Sequence, residues 1–180
     1  NINSVRLRIQ LVIRFLKGHD IDVLCLQETE TQDEQFPVQA VAEAGWPNIA
    51  IRGEKSYNGV AILSRWPLTD ISHLNWTGRT DCRHISAVVK GLTLHNFYIP
   101  AGGDEPDIDK NPKFSHKLNF IAEMTKHFSQ QQPSRSILVG DLNIAPLAED
   151  VWSTRQLRNT VSHTAIEREN LLALVEQGGW

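Results

Sequence analysis

Two apolar stretches, each running straight into a carboxylate, constrain this chain more than any other feature of its sequence. The first is Asp22-Val-Leu-Cys-Leu-Gln-Glu28. Its Val23 to Leu26 core is apolar at odd and even positions alike, which predicts a strand buried on both faces. The second, Ser136 to Gly140, predicts another buried apolar strand, and it ends at Asp141.

The segments between them mix helical and extended patterns. Val5 to Lys17 reads as a helix, capped by Ser4 and stopped by Gly18, with Leu7, Leu11, Val12, Phe15 and Leu16 on its apolar face. A short helix over Val38 to Ala44 ends at Gly45. Strands are predicted over Ile49 to Arg52, Gly59 to Ser64, Ile85 to Lys90 and Leu92 to Ile99, with Lys90-Gly91 as a hairpin connection. Ala101 to Pro112 is a polar loop. Ser115 to Phe128 is a helix with Leu118, Ile121, Ala122 and Thr125 on one stripe. Ile144 to Trp152 reads as loop, and Glu167 to Glu176 as helix. Neighbouring strands with short connections pair antiparallel. The fold class is therefore α/β, a two-sheet α/β sandwich rather than a doubly wound parallel sheet. At 180 residues the chain fits one domain with a real core.

Composition limits the function. No apolar run approaches the roughly 20 residues of a membrane helix, so no membrane partner is expected. The two cysteines, Cys25 and Cys82, form no CxxC pair and no disulfide framework, and a reducing cytoplasm is the expected compartment. The net charge of −3 argues against a protein that holds nucleic acid by charge alone. It leaves room for an enzyme with a local basic rim around an acidic site.

Four predicted strand ends finish in polar residues of one chemical kind: Asn1-Ile-Asn3-Ser4, Leu26-Gln-Glu28-Thr29, Asn96-Phe-Tyr98-Ile-Pro100 and Gly140-Asp141-Leu-Asn143-Ile-Ala-Pro146. Loops at strand exits converge on one edge of a sheet, where sites gather. Glu28 and Asp141 with Asn1 and Asn143 make an oxygen-rich set of the kind a hard cation takes, whereas no Cys/His cluster suits zinc. Each residue has a plainer reading on its own. Asp141 reads equally as a turn residue, Glu28 as a solvated charge, Asn1 as a frayed terminus and Tyr98 as a core residue with a bonded hydroxyl. The four together, in this order, carry the argument.

NINS, LQET, FYIP and GDLNIAP, so ordered and spaced, resemble the exonuclease–endonuclease–phosphatase superfamily, and within it the exodeoxyribonuclease III and apurinic/apyrimidinic endonuclease branch. The resemblance extends through Tyr57 to Ser64 and Asp81-Cys-Arg-His84. It implies a DNase I-like fold and a Mg²⁺-dependent hydrolase, with Mn²⁺ as the alternative metal. The activity implied is that of a DNA-repair nuclease, 3′-to-5′ exonuclease and abasic-site endonuclease, acting as a monomer on double-stranded DNA with abasic sites or 3′ ends. Glu28 resembles the metal-binding glutamate and Asn1 the asparagine beside it. Asp141 matches the aspartate that orients or deprotonates water. Asn143 and Tyr98 match groups near the scissile phosphate, and Arg83 an arginine close to that tyrosine. Lys117, with Arg79, Lys110 and Lys113, is expected on a basic rim that binds substrate.

Three departures accompany the resemblance. Residue 30 is Glu where the pattern has Lys. The pattern places a strand before NINS and a terminal Asp-His pair after further strands. Residues 1–180 are therefore expected to be a single nuclease domain lacking the first and the C-terminal strands, inactive by itself. Two other readings stand beside this one: a phosphodiesterase for small-molecule or lipid substrates, and a pseudo-nuclease that binds DNA or protein without cleaving it.

Overall fold

The structure, a computed structural model, describes all residues from 1 to 180. They form two compact units, residues 1–75, 79–98 and 135–141 in the first and residues 76–78, 99–134 and 142–180 in the second.

The first unit holds both sheets. Strands β1 (Val23–Gln27), β2 (Asn48–Arg52) and β3 (Val60–Ser64) make an antiparallel sheet in the order β1-β3-β2. Strands β4 (Leu68–Ser72), β5 (His84–Val89), β6 (Leu92–Tyr98) and β7 (Ser136–Asp141) make the second in chain order, with only β6 and β7 parallel. The two-sheet sandwich follows from β3. Its side chains alternate between faces, and both faces are fully buried. Val60 and Ile62 meet Ile85, Ala87 and Leu94 of the second sheet. Ala61 and Leu63 face the other way, into a cluster with Val5, Val12 and Leu16 of α1 (Val5–Gly18) and Val41 of α2 (Val38–Glu43). Lys90 and Gly91 both take positive φ between the paired residues Val89 and Leu92, as a tight two-residue hairpin requires.

Several expectations fail for identifiable reasons. On α1 the buried face is Val5, Val12 and Leu16, while Leu7, Leu11 and Phe15 are exposed. Apolar residues nearly encircle this helix, so periodicity alone does not select the face that docks. Ser4 gives α1 no side-chain cap; its φ of 73° belongs to the turn that leads out of residues 1–3. β1 and β7 are less buried than apolar runs suggest, with Ile137 exposed, because each lies at the end of its sheet in this chain. β4 carries too little apolar signal to stand out, and it pairs with β5 through a register irregularity.

The second unit is helical. α3 (Pro112–Gln131) starts earlier than its apolar stripe, because Asn111 caps it by accepting Lys113 N–H at 3.0 Å and Pro112 occupies the first turn. Ala122, expected on the buried stripe, is exposed, and Phe114, Phe120, Met124 and Phe128 are buried instead. A short helix, α4 (Thr154–Leu157), lies in the stretch after Trp152 and precedes α5 (Ala165–Gly178). Thr164 and Glu167 form a reciprocal capping box at the start of α5. α5 packs Leu171 and Leu174 into the unit's interior, and Trp180 meets Phe128 edge-on at 5.0 Å. No helix is long and apolar enough to cross a membrane.

Candidate active site

Residues 2–5 run alongside the exit of β1. Ile2 N–H donates to Gln27 O at 2.9 Å, Ser4 N–H to Glu28 O at 2.9 Å and Val5 N–H to Thr29 O at 3.1 Å. This ladder sets Asn1 beside Gln27, whose Oε1 lies 2.9 Å from the Asn1 nitrogen. Gln27 Nε2 in turn donates to Asn96 Oδ1 at 2.7 Å, and Asn96 Nδ2 donates to the carbonyls of Leu26 and Ala61 at 2.9 and 3.0 Å. Gln27 and Asn96 are buried, so this bridge ties the two sheets together with satisfied polar groups.

The bridge brings the strand exits together. Glu28 takes a φ of 53°, an uncommon conformation for a residue with a side chain, held by the Ser4 bond and by Thr29 N–H donating to Gly59 O at 3.2 Å. From that position its Oε1 accepts a short hydrogen bond from the Tyr98 hydroxyl. Tyr98 closes β6, and its register partner on β7 is Asp141. Asp141 Oδ2 accepts from Asn1 Nδ2 at 2.9 Å, while Asn1 Oδ1 takes the Asn3 N–H at 3.1 Å.

Tyr98 is fixed from behind as well. The Arg83 guanidinium sits 4.7 Å from the ring centroid, a cation–π contact, and its Nη1 donates to Tyr98 O at 3.3 Å. Arg83 Nε pairs with Asp81 at 2.8 Å. Burial, then the bond to Glu28 and the negative charge of Glu28, push the Tyr98 hydroxyl up to about 12, with Arg83 opposing. Tyr98 is therefore a protonated donor at neutral pH. Burial likewise pushes the thiol of Cys25, a half-buried residue packed against the core, up to about 12, which makes it a poor nucleophile.

Asn1, Glu28, Arg83, Tyr98 and Asp141 thus form one constellation in the first unit. Asn143 follows Asp141 by two residues along the chain and belongs to the second unit. It has a φ of 52°, and its Nδ2 donates to Ile99 O at 2.9 Å. Lys117 differs from expectation. Its side chain is 0% exposed and its ammonium bonds Glu167 Oε1 at 2.5 Å, Asn143 O at 2.6 Å and Ala101 O at 3.2 Å. An ammonium has three N–H donors, and all three are used, so Lys117 is not a surface contact for substrate. The physical reason is its helical position, between the buried Phe114 and Ile121. On the expected rim, Lys110 pairs with Asp107 at 2.9 Å and Glu105 at 3.7 Å, while Lys113 is exposed. Sequence reasoning gave Gln27 and Asn96 no role, although a buried Gln at a strand exit and an Asn among apolar strand residues are the visible signals of such a bridge.

The strand exits of this sandwich gather two carboxylates, a tyrosine and an asparagine at one place. The chain belongs to the endonuclease/exonuclease/phosphatase family, whose model matches residues 1–165. It is 28% identical to exodeoxyribonuclease III of Haemophilus influenzae over 159 residues, 84% of this chain and 58% of that protein. It is 29% identical to an exodeoxyribonuclease of Bacillus subtilis over 184 aligned positions, 99% of this chain and 70% of that one. Among solved structures it matches an AP endonuclease from Archaeoglobus fulgidus with a TM-score of 0.89 and 30% identity, covering 98% of this chain and 68% of the other. The chain thus spans between 58% and 70% of the length of these proteins.

Proposed function

We propose that this chain carries the core of a divalent-metal-dependent DNA-repair nuclease, with Mg²⁺ as the metal. Its substrates are the phosphodiesters of double-stranded DNA at abasic sites and 3′ ends. The observation that carries this reading is the hydrogen-bonded convergence of Glu28, Tyr98, Asp141 and Asn1 from the exits of β1, β6 and β7 and from the turn before α1. The names of the relatives support the choice of DNA among phosphodiester substrates.

The donor set fits the metal. Mg²⁺ takes one or two carboxylates and fills its other positions with water and substrate phosphate. Glu28, with Asn1 beside it, would hold the ion. When bound, the ion neutralises charge on the phosphate and eases departure of the alkoxide. The chain's own residues do the rest. Asp141, held by Asn1, orients the attacking water and accepts its proton. Asn143 presents to a phosphate oxygen, whose charge grows in the transition state, the side-chain N–H that Ile99 O does not take. Tyr98, whose one O–H is given to Glu28 in this structure, would serve a phosphate by turning that donor away from the carboxylate. Arg83 keeps the Tyr98 ring in place and adds positive charge behind it.

Glu28→Gln in the natural full-length protein tests the metal assignment. The substitution keeps an acceptor for Tyr98 and removes the charge, so cleavage should fall at least about a hundredfold, the effect of losing a charge-stabilising group. The remaining activity should need more Mg²⁺ for half-saturation. Wild-type turnover of the variant at ordinary Mg²⁺ would remove Glu28 from the site.

A further inference from the structure

The buried ion pair of the second unit has no part in the reading above, and its geometry gives it one. Lys117 and Glu167 are both 0% exposed and lie 2.5 Å apart. Taking two charges out of water is costly, and replacing such a pair by apolar side chains is often neutral or stabilising. Stability alone therefore does not account for the pair. What it does is fix two backbone segments. Lys117 bonds Asn143 O at 2.6 Å and Ala101 O at 3.2 Å. Asn143 Nδ2 reaches back to Ile99 O at 2.9 Å, so carbonyl and side chain are tied to the same stretch, residues 99–101.

Glu167 clamps the other side. Its carboxylate accepts Ser162 N–H at 2.9–3.0 Å and the Thr164 hydroxyl at 2.6 Å. Ser162 O accepts Ala145 N–H at 2.8 Å, and His163 Nδ1 lies 2.7 Å from Ala145 O. The loop at residues 143–145 is thus held from both ends of one ion pair.

We propose that Lys117 is a positioning residue, whose buried ammonium holds the Asn143 carbonyl and thereby sets the direction of the Asn143 side chain toward the substrate phosphate. This rests on the phosphate-binding reading of Asn143 given above. It gives the ion pair a catalytic consequence without contact to substrate. A misplacement of about 1 Å at a reacting group costs on the order of a hundredfold in rate.

The test is a double-mutant cycle in the natural full-length protein, on a duplex carrying one abasic site. Lys117→Met alone leaves the Glu167 charge buried without its cation, so the pair is neutralised together as Lys117→Met/Glu167→Gln, which keeps an acceptor for Ser162 and Thr164. This variant should lose about ten- to a hundredfold in kcat with KM little changed. Asn143→Ala should lose a similar or larger factor. Adding the pair change to Asn143→Ala should cost nothing further, because the positioned group is already gone. A purely structural pair would give losses that multiply, and that result, or wild-type kcat in the neutralised variant, overturns the proposal. Independently, the Asn143 side-chain amide signal in ¹⁵N-asparagine-labelled protein should shift or broaden in the neutralised variant; an unchanged signal also overturns it. Wild-type turnover of Asn143→Ala would instead overturn the phosphate-binding reading itself, and the proposal with it.

Discussion

Tyr98 shows how one residue's environment selects its chemistry. A tyrosine near a phosphate could serve as nucleophile, base or donor. Burial and the Glu28 carboxylate push its ionisation up to about 12, which holds it protonated as the donor to Glu28. The same shift has a consequence for stability. The folded state holds the Tyr98 proton more tightly than the unfolded chain, whose tyrosines ionise near 10. The stabilisation linked to this proton is complete below about pH 10 and is lost as pH rises toward about 12. Spectrophotometric titration checks this, since the chain has only one other tyrosine, Tyr57. The difference between wild type and Tyr98→Phe should show a tyrosine ionising well above pH 10. A Tyr98 signal that titrates at or below pH 10 would contradict both the burial of the hydroxyl and its bond to Glu28.

At the scale of elements, the placement of Asp141 depends on how closely β7 approaches β6. A Cβ added at Gly140 would lie 1.9 Å from the carbonyl oxygen of Phe97, and the φ of 146° there is one that residues with side chains rarely adopt. Gly140→Ala should therefore destabilise the fold by about 2–3 kcal/mol or more, read as a fall in the urea midpoint. An unchanged midpoint would mean that β7 sits further from β6. The GD pair was visible in the sequence as a strand end followed by a carboxylate, but the close approach was not, because it depends on a partner strand about 40 residues earlier. The same limit explains the other differences. The strands β1, β2, β3, β5, β6 and β7 were legible because apolar runs and a two-residue turn are local signals. The docking face of α1 and the burial of Lys117 depend on what packs against each helix, which periodicity does not encode. The Thr164-x-x-Glu167 cap is a local signal, and it starts α5 at Ala165, two residues before the expected helix start at Glu167. The strand-exit residues Asn1, Glu28, Tyr98 and Asp141 were legible as a group because each follows or precedes a recognisable element.

For the molecule as a whole, the balance of charge sets the terms on which DNA could be held. A net charge of −3 gives no general attraction to a polyanion, so binding would depend on a few local cations. Arg79, Lys110 and Lys113 are the accessible candidates, with Lys117 withdrawn into the interior. Neutralising about three phosphates would give a steep salt response. Affinity for duplex DNA should fall tenfold or more between about 50 and 200 mM salt. A flat response, measured by fluorescence anisotropy, would favour a small-molecule phosphodiester instead.

Incision of a duplex carrying a single abasic site, by the natural full-length protein, tests the central claim most directly. The measurement compares Mg²⁺ with chelator, and wild type with Asp141→Asn, which removes a proton acceptor but little volume. Wild type with Mg²⁺ should cut at the abasic site, and chelator should abolish the cut. Asp141→Asn should bind the duplex with unchanged affinity and fail to cleave it. Incision that survives chelator, or that proceeds at the wild-type rate without the Asp141 carboxylate, would contradict the account.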